Sequence, residues 1–261
     1  THMQPTQEVK RIDYEPINAP DLRKVPPGAP ISWLKAGAAD FRAAPFMSIV
    51  YGLLFALIGV GITVASINHP QFTLTFWTGF LLVGPFLAIG LYRAAQLREQ
   101  GEEMEAGRCL RTLYSKKSQV AVFMVLMLII MVAWVRFSTL MVALWFGQLS
   151  PGIEAFTSAL GSAEGLVFLA VLFACGGLFA FIVFAASALT LPMLLDGKAE
   201  LIPALVTSFR VVFSQPLVML TWAAIVAVLT FVGMATMFVG LVFIFPLLGY
   251  ATWHSYRDIV K

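Results

Sequence analysis

From Gln119 to Phe146 the chain reads QVAVFMVLMLIIMVAWVRFSTLMVALWF, with Arg136 as its sole charge. A helix built from this run has no polar face to turn toward water. It must be enclosed in a large core or stand in a bilayer, where ~20 mainly apolar residues cross about 30 Å of hydrocarbon. The rest of the chain decides between the two. Of 261 residues, 59% are hydrophobic and 12% charged, with a mean hydropathy of +0.86, against about 45–50% apolar and about 25% charged in soluble domains. An integral membrane protein is predicted, and a soluble domain is excluded.

Six segments are long and apolar enough to span: Phe46 to Ala65, Phe72 to Tyr92, Gln119 to Val135, Gly165 to Leu191, Pro216 to Phe231 and Met234 to Trp253. The last two form one apolar run too long for a single crossing, so a tight turn is expected at Val232-Gly233. Ending the third span at Val135 keeps Arg136 out of the hydrocarbon, where it would cost roughly 2.5–3.5 kcal/mol; Phe137 to Phe146 then lie along the outer leaflet. The other reading keeps Arg136 inside, lining a cavity. Asp196 reads as a helix-end charge, since no buried partner for a proton relay is visible.

Charge sets the expected orientation. All but one of the 17 Lys and Arg residues fall before the first span, between the second and third, between the fourth and fifth, or after the sixth. Short cytoplasmic loops accumulate such residues, so both termini are expected in the cytoplasm. The net charge of +3 then belongs to a face beside anionic headgroups, with no nucleic-acid partner signalled. Thr1 to Met3 read as a tag remnant, and no signal peptide is expected. Residues 1–30 form a cytosolic segment too rich in proline for a helix.

A repeat organises residues 31–261. Leu34/Ala38/Phe41, Ala106/Leu110/Leu113 and Ile202/Val206/Phe209 share i, i+4, i+7 spacing, each ahead of a hairpin. The hairpins' second helices carry Pro85, Pro192 and Pro246, with Gly90, Gly197 and Gly249 shortly after. The fold class expected is therefore all-α: six transmembrane helices in three tandem units (about 31–97, 103–197 and 199–258), each an interfacial amphipathic helix plus a hairpin. Every unit leaves from and returns to one side, which gives a pseudo-threefold axis along the membrane normal rather than inverted repeats.

Chemistry-bearing motifs are scarce. Ser32-Trp33-Leu34-Lys35 fits SxxK but lacks companion motifs, and no P-loop, HExxH or GxSxG is present. Cys109 and Cys175 have no CxxC or histidine company. Met124, Met127 and Met131 could offer thioethers to Cu(I), although methionine more often fills gaps in apolar packing; no cofactor is expected. Tyr92, Arg93, Tyr250, Trp253, His254, Tyr256 and Arg257 cluster at the cytoplasmic ends of two equivalent helices and read first as interfacial anchors; Tyr92, Arg93, Trp253, His254 and Arg257, with Arg98, Arg108 and Arg111 of the basic segment, are the candidate contacts for lipid or a partner. Arg136 is the candidate cavity residue.

The lead-in SWLKAGAADFRAAP and the closing PLLGYATWHSYRD resemble a family of bacterial inner-membrane proteins, domain of unknown function 2189, over nearly the whole chain from about Ile12. The resemblance implies a bacterial cytoplasmic membrane location and carries no activity. Two functions remain from the residues: a non-enzymatic scaffold or accessory protein engaging lipid, another membrane protein or a second copy through its cytoplasmic face, or a channel or carrier with a cavity on the pseudo-threefold axis.

Overall fold

A computed structural model describes residues 20–67, 84–102, 117–147 and 161–261, with positions 77, 80, 81, 154 and 158. The expected middle interfacial helix (Glu103 to Leu113), Arg108, Arg111, Cys109, residues 1–19 and part of the second span lie outside the described residues. Among those described the fold is all-helical, with no strand: α1 Ala29–Ala43, α2 Pro45–Ala65, α3 Ile89–Glu99, α4 Lys117–Phe146, α5 Ala163–Ser187, α6 Thr190–Asp196, α7 Leu201–Ser214, α8 Pro216–Ala235 and α9 Leu241–Ile259.

Proline writes two of the boundaries. Ala44 (φ −135°, ψ 64°) precedes Pro45, and Gln215 (φ −133°, ψ 57°) precedes Pro216. A residue before proline is pushed out of the helical region, while proline itself suits the first position of the next helix. Thus α1 and α7 each end in the same bend and hand over to a long apolar helix of 21 or 20 residues, about 30 Å. Four described helices are long and apolar enough to cross a membrane: Pro45–Ala65, Ser118–Phe146, Ala163–Asp196 and Pro216–Ala235. Helix α9 has 19 residues, but its second half, TWHSYRDI, is polar.

Two expected boundaries are corrected. The third span does not stop at Val135; α4 runs on to Phe146, a helix of 30 residues in all. Nothing from Arg136 to Phe146 breaks a helix, and the Ser138 and Thr139 hydroxyls donate to Val135 O (3.0 and 2.7 Å). The stop is Gly147, at φ 68°, a conformation glycine adopts freely. Nor does the chain turn at Val232-Gly233. It turns at residues 236–240, with Met237 and Phe238 at φ 55° and 67°, at about 1–2 kcal/mol each. Phe238 offsets part of this by burying its ring edge-on against Trp77 and Phe80. Gly233 serves close packing instead: a Cβ there would lie 2.4 Å from Leu241 Cδ2.

The amphipathic faces are also corrected. In α1 the buried set is Trp33, Gly37 and Asp40, one residue earlier than Leu34/Ala38/Phe41. In α7 the buried set is Ala204, Thr207, Ser208, Val211 and Val212, so Ile202 and Val206 point outward. The reason is packing: α1 lies along α9, and α7 lies on α5 and α6.

Helix α9 is the hub, touching α1, α2, α3, α6 and α8. Gly52 lets α2 reach it, since a Cβ there would stand 1.9 Å from Val242 O. Phe55 then stacks between Phe80 (4.3 Å) and Phe245 (4.1 Å). The segment before α1 crosses the chain's last residues: Leu22 bridges Val260, Arg23 N–H donates to Ile259 O (2.8 Å), and Lys261 N–H donates to Asp21 O (3.0 Å). The Gln215 amide brackets this strap, donating to Arg23 O and accepting from Val25 N–H, both at 2.9 Å.

Candidate functional site

The C-terminal ends of α3, α6 and α9 meet, and there the polar side chains converge. Asp196 closes α6 because Gly197 adopts φ 73° and caps the helix. Its carboxylate accepts from Gln96 Nε2 (2.8 Å) and Tyr256 OH (2.6 Å), with Arg257 Nη1 at 3.5 Å. Arg257 Nε also donates to Glu99 (3.1 Å), and Arg93 Nη1 donates to Gln96 Oε1. One arginine therefore joins all three helix ends. Asp196 does end a helix, as expected, and it also has partners on two other helices, which the sequence did not show.

A second carboxylate lies beside this knot. Asp40 of α1, its side chain only 4% exposed, accepts from Arg98 Nη1 of α3, and His254 Nε2 of α9 stands 2.7 Å from its other oxygen. Trp33, two turns earlier on the same face, donates its indole N–H to Asp258 (2.9 Å) and meets Trp222 edge-on at 5.6 Å. Helix α1 is thus pinned to α9 at both ends of its buried face.

Electrostatics keep the knot in one state. Burial, then the hydrogen bond to Asp196 and that group's charge, push the Tyr256 hydroxyl well above its ordinary value, so it remains a donor. Burial pulls Arg257 down, but its hydrogen bond and attraction to Glu99, and the charge of Asp196, outweigh this and leave it raised. The arrangement holds the three helix ends together.

Placement of the expected residues divides them. Tyr92 and Trp253 are buried within the bundle, so they do not reach outward as anchors; the apolar ring that suits an interface equally suits a core. Trp253 Nε1 and Arg93 Nε are buried without a hydrogen-bond partner. Arg93, Arg98, His254 and Arg257 come together but bind one another's neighbours. Arg136 stands apart, exposed on α4 and about 28 Å along the helix from Lys117, not between helices. Met127 is buried while Met124 is exposed, so the methionines do not share one environment, and no group of three His, Cys, Asp or Glu side chains is placed to hold a metal ion among the described residues. Sequence reading missed Asp40, Gln96, Glu99 and the joining role of Tyr256; the available signal was Asp40 in i, i+7 register with Trp33. It also did not single out the exposed cations that have no ion pair among the described residues: Arg23, Lys24, Lys35, Arg42, Lys198, Arg210 and Lys261, besides Arg136.

Long apolar helices closed at one end by a charged knot define an all-helical integral membrane protein. Over residues 73–196 the chain matches the family described as predicted integral membrane protein, domain of unknown function 2189 (DUF2189). The match takes in Gln96, Arg98, Glu99 and Asp196 but not Asp40, His254 or Arg257, and is narrower than the resemblance read from Ile12 onward. Neither curated proteins nor solved structures contain a match to the chain.

Proposed function

We propose that the protein is a non-enzymatic scaffold or accessory protein of the bacterial cytoplasmic membrane, with six spans and both ends in the cytoplasm, engaging lipid or a membrane partner through its basic face. The observation that carries this reading is the filled meeting line of α3, α6 and α9. Ile89, Leu91, Met193, Leu194 and Tyr250 are fully buried there, Arg257 bridges Glu99 to Asp196 across it, and Phe55 is sandwiched nearby. A water-filled path needs polar lining, which favours the scaffold over a cavity on the axis.

The threefold repeat belongs to the same proposal. The matching bends at Ala44 and Gln215 support equivalence of units one and three, and the convergence of three second helices supports an axis between them. Cyclic packing adds to this: α1 lies on the second helix of unit three, and α7 on that of unit two. Gly197 is weaker support, because it caps a helix whereas Gly90 and Gly249 meet Tyr51 and Leu91 within helices.

Reconstitution tests the function. The scaffold reading expects no protein-dependent solute flux, and tighter association with phosphatidylglycerol vesicles than with phosphatidylcholine ones. Replacing Lys35, Arg42, Lys198 and Arg210 with Gln removes up to about 1 kcal/mol of attraction each. A saturable flux abolished by Arg136→Ala would promote the carrier instead.

A further inference from the structure

We propose that the groove beside Asp40 binds the headgroup of an ethanolamine phospholipid, a primary ammonium set close to a phosphodiester. The groove opens between α1, α3 and α9, with a volume of about 250 Å³. Ala36, Ala39 and Ala95 line it with small apolar side chains, and Arg98, Glu99, His254 and the buried Asp40 supply its polar lining. Its volume falls below the roughly 300 Å³ at which drug-sized pockets begin, so it admits a headgroup and not a bulky cofactor. Its depth also suits one: Asp40 sits one and a half turns before Pro45, where α2 begins, and Arg98 and Glu99 end α3.

Charge selects the headgroup. Arg98 and Glu99 are neighbours in sequence, similarly exposed at 40% and 41% of their side chains, and opposite in sign. Asp40 engages one of the five guanidinium N–H donors and fixes the group's position; the remaining donors are available to phosphate oxygens. Glu99 accepts from Arg257 and keeps lone pairs for a further donor. A purely anionic headgroup meets Glu99, and a lone cation meets Arg98; an ammonium next to a phosphate satisfies both. Choline carries the same charges but has no N–H to give. The site rests on the reading of this end as headgroup-level, but not on the free cations of the basic face.

Native mass spectrometry of the full-length chain in detergent, supplied with equal short-chain phosphatidylethanolamine, phosphatidylcholine and phosphatidylglycerol, counts the lipid retained. One charge-assisted hydrogen bond implies a preference of roughly tenfold for ethanolamine over choline. Glu99→Gln should bring that ratio close to one. Ala36→Leu fills the groove without changing charge and should lower ethanolamine retention, while phosphatidylglycerol association through Lys35, Arg42, Lys198 and Arg210 stays as in the wild type. Equal retention of ethanolamine and choline lipids, or a preference that survives both variants, overturns the site. So does binding of soluble phosphoethanolamine alone with no ethanolamine lipid retained, which would make the ligand a soluble metabolite. Loss of phosphatidylglycerol preference with the ethanolamine preference intact would sink only the scaffold reading.

Discussion

Removing Arg98 should damage the protein more than neutralising the carboxylate it holds. In Arg98→Met the Asp40 side chain, 4% exposed, keeps its charge and loses its permanent cation, leaving His254 alone beside it. Breaking a buried pair from one side costs about 3–5 kcal/mol, because the orphaned charge stays desolvated. In Asp40→Asn the orphan is Arg98, whose side chain is 40% exposed and can turn to water; losing one charge-assisted hydrogen bond costs about 1.5–3 kcal/mol before screening, and less after it. The double variant removes both charges and should be more stable than Arg98→Met alone, with a coupling of up to about 3 kcal/mol. At roughly 2–4 °C per kcal/mol for a chain of this size, thermal unfolding in detergent should place Arg98→Met well below Asp40→Asn and the double variant between them or above. If Asp40→Asn is as damaging as Arg98→Met, or the double variant is simply additive, the picture of a carboxylate held in burial by Arg98 is wrong.

Gly52→Ala should lower thermal stability sharply, since the new Cβ would meet Val242 backbone at 1.9 Å, whereas Gly61→Ala on the same helix, with nothing within 4 Å, should be neutral or stabilising by up to about 1 kcal/mol; comparable melting points for the two would contradict the close α2–α9 crossing. The raised Tyr256 hydroxyl stabilises the fold fully below its unfolded value near 10 and loses that contribution only as pH climbs through the higher folded value. The melting difference between wild type and Tyr256→Phe should therefore be flat from pH 6 to 9, and a difference that vanishes within that window would refute the Asp196 bond. For topology, single cysteines at Gln7, Ser158 and Lys261, in a chain lacking Cys109 and Cys175, should react with an impermeant reagent in intact cells only at position 158; labelling at 7 or 261 would overturn the orientation.

What could be read from the sequence followed from local constraints. The spans beginning at Pro45 and Pro216 were legible because a proline and the residue before it decide a backbone angle without help from the rest of the chain. The end of α4 was misread because charge was taken as the boundary, whereas the helix obeys its hydrogen-bond ladder as far as Gly147. The face of α1 was misread because two sets, Leu34/Ala38/Phe41 and Trp33/Gly37/Asp40, share one spacing, and only the arrival of α9 chooses between them. The site was least legible of all. Asp40 meets Arg98 and His254 across 58 and 214 positions, and no periodicity within a helix encodes such a meeting.

The pairing of α1 with α9 carries a consequence for how the protein is made. Trp33 waits for Asp258, Asp40 waits for His254, and the strap at residues 21–25 waits for Ile259 to Lys261. At ~5–20 residues per second, more than two hundred residues of synthesis separate partners by roughly ten seconds or more. Arg98 follows Asp40 within 58 residues, but throughout that interval the Trp33 indole lacks Asp258 and the Asp40 carboxylate lacks His254, and the surface of the bilayer is the nearest place to keep them. Closure of the bundle then waits for α9, and a ribosome stalled before that helix would leave a chain inserted in the membrane yet open along its charged end.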